Sequence, residues 1–302
     1  MPDAMPALVA LGDSPLAGRS WSAGRLASSL TRDPLFAAAA CTLLLVALAA
    51  LFAPWLAPFD PDRPIDMAAR AQPPSAQHWF GTDTLNRDLL SRILFGARIS
   101  LAVSLLSVAV AMLMGTAWGA IAGYAGGWID ALLMRVVDAG LAIPRILLLL
   151  SIVSLWGTLT MPAIIVVLGF TGWFGASRLV RDGVRASKER DYAVAARASG
   201  ATPFRVLVRH VLPHALTPML VAATLGVGHV VVIEAGLSFL GYGVAPPAAT
   251  WGTLIRDGRE NVATAWWLSV FPGLALAITV LAINVLGDRL RTALGGRQLP
   301  AP

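Results

Sequence analysis

The chain has 302 residues, of which 57% are hydrophobic and only 13% charged, with a mean hydropathy of +0.71; soluble domains carry about 25% charged residues, so the composition argues against a soluble globule. The net charge of +6, from 23 Lys plus Arg against 17 Asp plus Glu, would suggest nucleic acid in a soluble protein, but cytoplasmic membrane loops collect Arg and Lys for topological reasons, so the cations must be located first. A single cysteine, Cys41, can form neither an intramolecular disulfide nor a Cys-based metal site, which removes disulfide scaffolds and zinc modules.

Residues 1–34 are polar, with scattered Pro, Gly and Ser, and read as a disordered cytoplasmic tail. A secretory signal is the rival reading, because Ala-rich residues follow Arg32, but the apolar run continues to Trp55 instead of stopping at a short core. A hydrocarbon core of about 30 Å needs about 20 apolar residues per crossing. Six runs answer to that: Leu35 to Ala57, Ile99 to Gly123, Ala131 to Trp156, Met161 to Ser177, Leu216 to Leu240 and Trp266 to Leu286. The fourth is short and opens at Pro162, which suits a first helical turn because the missing N–H would be unpaired there. Gly115, Gly119 and Gly123 recur every four residues in the second run and predict a close helix approach. Pro144 predicts a kink in the third, and its neighbour Arg145 must find a headgroup, a carboxylate or an aqueous cavity. Asp138 reaches Arg145 only through the intervening turns.

The connection 178–215 holds Arg178, Arg181, Arg185, Lys188, Arg190, Arg197, Arg205 and Arg209 against three acids, and is therefore expected on the cytoplasmic side. Parity puts both termini there as well, in agreement with Arg19, Arg25 and Arg32 before the first run and Arg289, Arg291 and Arg297 after the last, in a tail over 291–302. The outer loop 58–98 fits less well, since it carries Arg63, Arg70, Arg87, Arg92 and Arg98, and it offers no predictable structure.

Within the cytoplasmic connection, the Ala-rich segment from Asp191 predicts a helix that stops at Gly200, and Pro203 opens a second helix from Phe204 to about Val211. A 3.6-residue period puts Phe204, Leu207, Val208 and Val211 on one face and Arg205 and Arg209 on the other, leading to Leu212 and Pro213 at the membrane. So much ordered pattern is long for a connector and reads as a docking surface. No G-x-x-x-x-G-K-[ST] phosphate loop exists; the chain's one lysine is Lys188. Nor is there an H-E-x-x-H, a G-x-S-x-G or a paired intramembrane carboxylate, so no catalytic site is expected. His210 and His214 stand four apart with no third ligand near in sequence and read as polar residues where the chain meets the membrane.

At this connection the chain resembles a known family. Ala195-Ala196-x-x-x-Gly200 followed by Leu212-Pro213 is similar to the EAA loop of permease subunits of binding-protein-dependent ABC importers. Further stretches narrow the resemblance to the dipeptide, oligopeptide and nickel branch, of the DppC/OppC-like kind. They are Gly81-Thr82-Asp83 with Arg87-Asp88 and Ser91-Arg92, Gly96-x-Arg98-x-Ser100-Leu101, Asp138 with Ala142-Ile143-Pro144, Glu234-Ala235-x-Leu237-Ser238-Phe239-Leu240-Gly241, Trp251-Gly252, Phe271-Pro272-Gly273 and Asn284-x-x-Gly287-Asp288. Two positions depart from the family: Val194 stands at the EAA glutamate, and Asn86 replaces the glycine usual after Gly81-Thr82-Asp83.

The resemblance implies an all-α polytopic membrane protein of six transmembrane helices with the type I ABC importer permease fold, its core over 99–290, its coupling loop over 178–215 and an outer loop over 241–265. It further implies a bacterial inner-membrane location, a paralogous permease subunit, one or two P-loop ATPases carrying ATP and Mg, an extracytoplasmic solute-binding protein and contact with the lipid bilayer, with no cofactor on this chain and no nucleic acid. Di- or oligopeptides lead as substrate, with nickel chelates, opines and glycosides open. The coupling residues it implies are Ala195, Ala196, Gly200, Phe204, Arg205, Leu207, Val208, Arg209, Leu212 and Pro213. Glu234, Ser238, Arg145 and Asn284 stand as pathway or gate candidates, Glu234 with a structural role as the competing reading; His229, five residues earlier, does not share its helical face. An ion-driven transporter or channel without an ATPase is the alternative function, and a membrane scaffold without transport a further one.

Overall fold

The structure, a computed structural model, describes residues 33–65, 70–156 and 159–295. The predicted N-terminal tail, with Arg19, Arg25 and Arg32, the Gly157-Thr158 connection and residues 296–302 with Arg297 lie outside the described residues. Among those described the chain is helical, with two isolated β-bridges, Thr82 to Asp88 and Leu159 to Val244, and no strand.

In chain order the helices are α1 (Pro34–Leu51), α2 (Ala53–Leu56), α3 (Leu89–Ala125), α4 (Gly127–Ala142), α5 (Arg145–Trp156), α6 (Met161–Lys188), α7 (Asp191–Ala198), α8 (Pro203–Val206), α9 (Leu212–Ala215), α10 (Thr217–Phe239), α11 (Trp251–Gly258) and α12 (Trp267–Gly295). Five of them, α1, α3, α6, α10 and α12, are long and apolar enough to cross a membrane; α4 and α5, bent by 82° at their break, are long and apolar enough only as a pair and count as a sixth crossing when taken as one broken span.

The helix starts follow local chemistry. Asp33 caps α1, accepting from the Leu35 N–H at 2.9 Å ahead of Pro34, and Asp88 caps α3, accepting from the Ser91 N–H at 2.8 Å. Two of these helices run past the predicted spans. At 37 residues α3 is about 55 Å long, and it absorbs residues 89–98 of the predicted outer loop, where Ser91 and Arg92 are buried in partners rather than solvated. At its far end α6 continues through Lys188, beyond the expected stop at Ser177, so the predicted cytoplasmic connection begins as helix.

The third crossing is two helices instead of one kinked helix. Pro144 has no N–H and forces Ile143 into an extended conformation, φ −90 and ψ 126, so α4 ends and a new axis begins.

The tightest packing joins α3 to α6. A Cβ on Gly115 would lie 2.6 Å from the Ala176 Cβ, one on Gly119 2.9 Å from the Arg181 nitrogen, and one on Gly123 2.6 Å from the Arg181 carbonyl, so only glycine admits this contact. Asp130 at the start of α4 takes Arg181 of α6 through two 2.6 Å hydrogen bonds, and Lys188 donates to the Gly123 carbonyl at 2.9 Å, closing the end of α3. These fix one end of the bundle, here called the arginine-rich end. At the other, capped end, residues 58–65 and 70–88 and α11 fold over α3, α10 and α12, and Leu89, Ile93, Trp251, Leu254, Trp267 and Leu268 share one buried core.

Candidate functional site: a sealed cap and an open docking face

At the capped end, a turn after Gly81 gathers the buried charges. Asp83 accepts from the Leu85 and Arg87 N–H groups at 2.9 and 2.8 Å, from the Arg87 side chain at 2.8 Å and from Arg92, which is 4% exposed. Two of the five arginines that fit poorly with the outer loop are therefore consumed by one carboxylate, and a third, Arg98, stacks over Phe95. Asn86 sits at φ +55, a left-handed conformation that Asn tolerates better than other side-chain-bearing residues, which explains how it replaces the family's glycine. His78 pairs with Asp88 at 2.9 Å, the Trp267 indole donates to the Thr82 carbonyl at 3.2 Å, and Phe80 stacks on Phe271.

Glu234, 1% exposed, lies beneath this cap. Ser238 donates to one of its oxygens at 2.7 Å and Ser100 of α3 to the other at 3.1 Å. Each hydroxyl is itself fed from the start of α11. The Trp251 N–H donates to Ser100 at 3.3 Å, the Thr250 hydroxyl donates to Ser238 at 3.2 Å, and Thr250 in turn accepts from the Thr253 N–H. Two donor chains thus run from the positive end of α11 to one carboxylate, binding α3, α10 and α11 at a single point. In this conformation neither Glu234 nor Ser238 lines an open path. Asn284 is exposed on α12, with its amide oxygen beside Gly228.

The arginine-rich end is built differently. Helix α7 carries Ala195 and Ala196, and Gly200 follows at φ +82, with its N–H on the Arg197 carbonyl at 2.9 Å. The Arg197 side chain donates to the Lys188 carbonyl at 2.8 Å, the Tyr192 ring packs on His214 of α9 at 4.8 Å, and Ala193, Val206, Val211 and Ala215 join Val180 and Val184 of α6 in one core.

The second helix departs from its predicted face. Pro213 cannot donate to the Arg209 carbonyl, and residues Leu207–Val211 widen into a π turn closed by the Leu212 N–H on the Leu207 carbonyl. The wider turn aligns Val206 with Val211 as the buried pair. Leu207 and Leu212 are half-buried, while Phe204 is 76% exposed and Val208 45%, on the same side as exposed Arg205, Arg209 and Pro213. Val206 was the missed residue; Pro213 ten residues after Pro203 was the signal for the shifted register. Phe204 and Val208, together with Val194 and Tyr192 of α7, make an exposed apolar surface edged by Arg197, Arg205 and Arg209.

At the bend of the third crossing, Arg145 and Asp138 do not meet. Asp138 takes Arg178 of α6, and Arg145 donates to the Leu168 carbonyl at 2.9 Å.

Comparison with known proteins places this architecture. The family described as the binding-protein-dependent transport system inner membrane component matches residues 115–299, and the N-terminal TM domain of oligopeptide transport permease C matches residues 23–74. A glutathione transport system permease protein of Pectobacterium atrosepticum is 40% identical over 258 residues, 85% of each chain, and a dipeptide transport system permease protein of Alkalihalophilus pseudofirmus is 43% identical over 226 residues, 74% of each. Among solved structures, a chain of the MetNI methionine ABC transporter in inward facing conformations shares the fold, with a TM-score of 0.54 and 23% identity over 68% of this chain and 96% of that one. With more than half of its length inside one family and relatives of this identity spanning most of it, the chain belongs to the inner-membrane components of binding-protein-dependent transport systems.

Proposed function

We propose that this chain is one of two permease subunits of an ATP-driven peptide importer, lining half of the pathway and turning ATPase movement into opening of the bundle. The observation that carries the reading is the exposed apolar and cationic surface of Val194, Phe204, Val208, Arg205 and Arg209, mounted on a rigid unit instead of a free loop. Apolar side chains of this size exposed beside the membrane suit a protein partner, and the relatives' names point to di- and oligopeptides, glutathione included, as the solute class.

In this reading the arginine-rich end and both termini are cytoplasmic, and the capped end faces a solute-binding protein. A paralogous permease completes the pathway, and one or two P-loop ATPases hold ATP and Mg, this chain binding neither. Closure of the ATPases on ATP displaces the α7–α9 unit. Its bonds to the end of α6 pass that displacement on, and the glycine contact of α6 with α3 carries it into the bundle. The chain makes and breaks no covalent bond.

The test is purification of the tagged chain from detergent, ATPase assay of what accompanies it, and uptake of a radiolabelled dipeptide by vesicles holding the complex. A second permease and ATP-dependent uptake are the expected result. A lone protein indifferent to ATP overturns the reading.

A further inference from the structure

Arg145 is a cation with little to hold it. Among the described residues the Leu168 carbonyl is its one hydrogen-bond acceptor, its Nε is enclosed without any partner, and no carboxylate forms an ion pair with it. The nearest acids in sequence are already committed, Asp138 to Arg178 and Asp130 to Arg181. The guanidinium sits in a recess made by glycine: a Cβ on Gly172 would lie 3.0 Å from Nη2, with the Ala111 Cβ of α3 alongside.

The depth of this recess follows from its place on α6. Gly172 is about 17 Å from the capped-end start of α6 and about 24 Å from its other end. Arg145 therefore lies near the middle of a core about 30 Å thick, out of reach of lipid headgroups. An unpaired charge there is costly, and a guanidinium offers its N–H groups in a fork that matches a carboxylate at two points.

Resting on the peptide-importer reading, we infer that Arg145 binds the carboxylate of the solute, the C-terminal group of a peptide, as it passes the bent crossing. Arg145 is then a specificity-determining residue of the pathway, and the break at Pro144 serves to aim it.

The experiment uses the whole complex in vesicles, with the same solute-binding protein in every arm. ATP-driven uptake of a radiolabelled dipeptide and of its C-terminal amide is measured for the natural chain, Arg145→Gln and Arg145→Lys. The expected result is that the natural complex favours the free carboxylate by roughly tenfold or more, that Arg145→Gln loses most of that preference while its ATPase still responds to loaded binding protein, and that Arg145→Lys, which keeps the charge without the fork, falls between. An unchanged preference in Arg145→Gln overturns the inference, as does equal uptake of both compounds by the natural complex; either leaves the peptide reading standing. If Arg145→Gln does not assemble, Arg145→Lys decides, an undiminished preference overturning the inference and a reduced one supporting it. Vesicles of the natural complex that hydrolyse ATP yet take up neither compound overturn the peptide reading and this inference with it.

Discussion

The two ends of the bundle spend their polar groups in opposite ways. At the capped end Asp83, Arg87, Arg92, His78, Asp88 and Glu234 are paired within the chain, and the aromatic rings of Trp251 and Trp267 close over them. At the arginine-rich end the apolar residues Phe204 and Val208 and the cations Arg205 and Arg209 face outward, while Val206 and Val211 beneath them pack with Val180 and Val184 of α6. The contrast separates a surface whose polar groups are paired within the chain from one that, in the proposed function, is completed by another molecule. Substitutions at the first should therefore cost stability, and substitutions at the second should cost partnership.

The largest loss is expected at Asp83. Asp83→Ala leaves buried Arg92 without its carboxylate, which costs about 3–5 kcal/mol for a buried charge stripped of its partner. Thermal unfolding in detergent reads this directly, and an unchanged transition would show that the cap does not depend on the cluster. Next comes Glu234→Ala, which strands the Ser100 and Ser238 hydroxyls beneath α11. About 1–3 kcal/mol is expected for buried hydroxyls left without their acceptor. Glu234→Gln, which keeps an acceptor of the same shape, should cost less. Amide exchange in α11 should rise with the alanine; protection as in the natural chain would remove Glu234 as the anchor of that helix.

Much of the architecture is legible in the sequence because lipid imposes long apolar runs, and five of the six predicted crossings stand as single long helices, the third as a bent pair. Their ends do not, for reasons that particular residues make plain. Ser91 and Arg92 look like loop residues until Asp88 and Asp83 bury them, and those partners are brought by a turn whose Asn86 conformation no hydropathy pattern reports. Pro144 announces a kink, but a kink signal does not give its size, and the two helices meet at 82°. One of the two donors to Glu234 is Ser100, 134 positions away, a pairing that only the fold reveals. In the segment from Phe204 a uniform 3.6-residue period puts Val211 on the same face as Phe204; the π turn ahead of Pro213 separates them.

Smaller effects are expected at the arginine-rich end, and they sharpen the contrast. Gly200 stands at φ +82 with nothing within 4 Å of where a Cβ would be, so Gly200→Ala meets only backbone strain, about 1–2 kcal/mol. Gly200→Asn should melt closer to the natural chain; equal losses for both would mean that strain is not the cause. Phe204→Asp combined with Val208→Asp should leave stability within about 0.5 kcal/mol, since both side chains are exposed and neither fills a core. Recovery of the ATPase with the tagged chain should nevertheless fall sharply. Full recovery would sink the docking role of this face.

The smallest expected effect is at Val194, where the family's loop carries glutamate and this chain an exposed valine, 48% accessible. Val194→Glu adds a carboxylate to a surface already bearing Arg197, Arg205 and Arg209, and an exposed ion pair contributes only about 0–1 kcal/mol. Thermal stability should not move, and ATPase association should change by no more than about fivefold, with any gain fading as salt is raised through the screening range. A large, salt-resistant gain would mean that the partner holds a pocket for the acid, and the apolar contacts of Phe204 and Val208 would then be secondary. A small change would mean that this chain has replaced a polar anchor with an apolar one on the same rigid mount, so that coupling here follows how firmly α7–α9 is fixed to α6 instead of the charge at one exposed position.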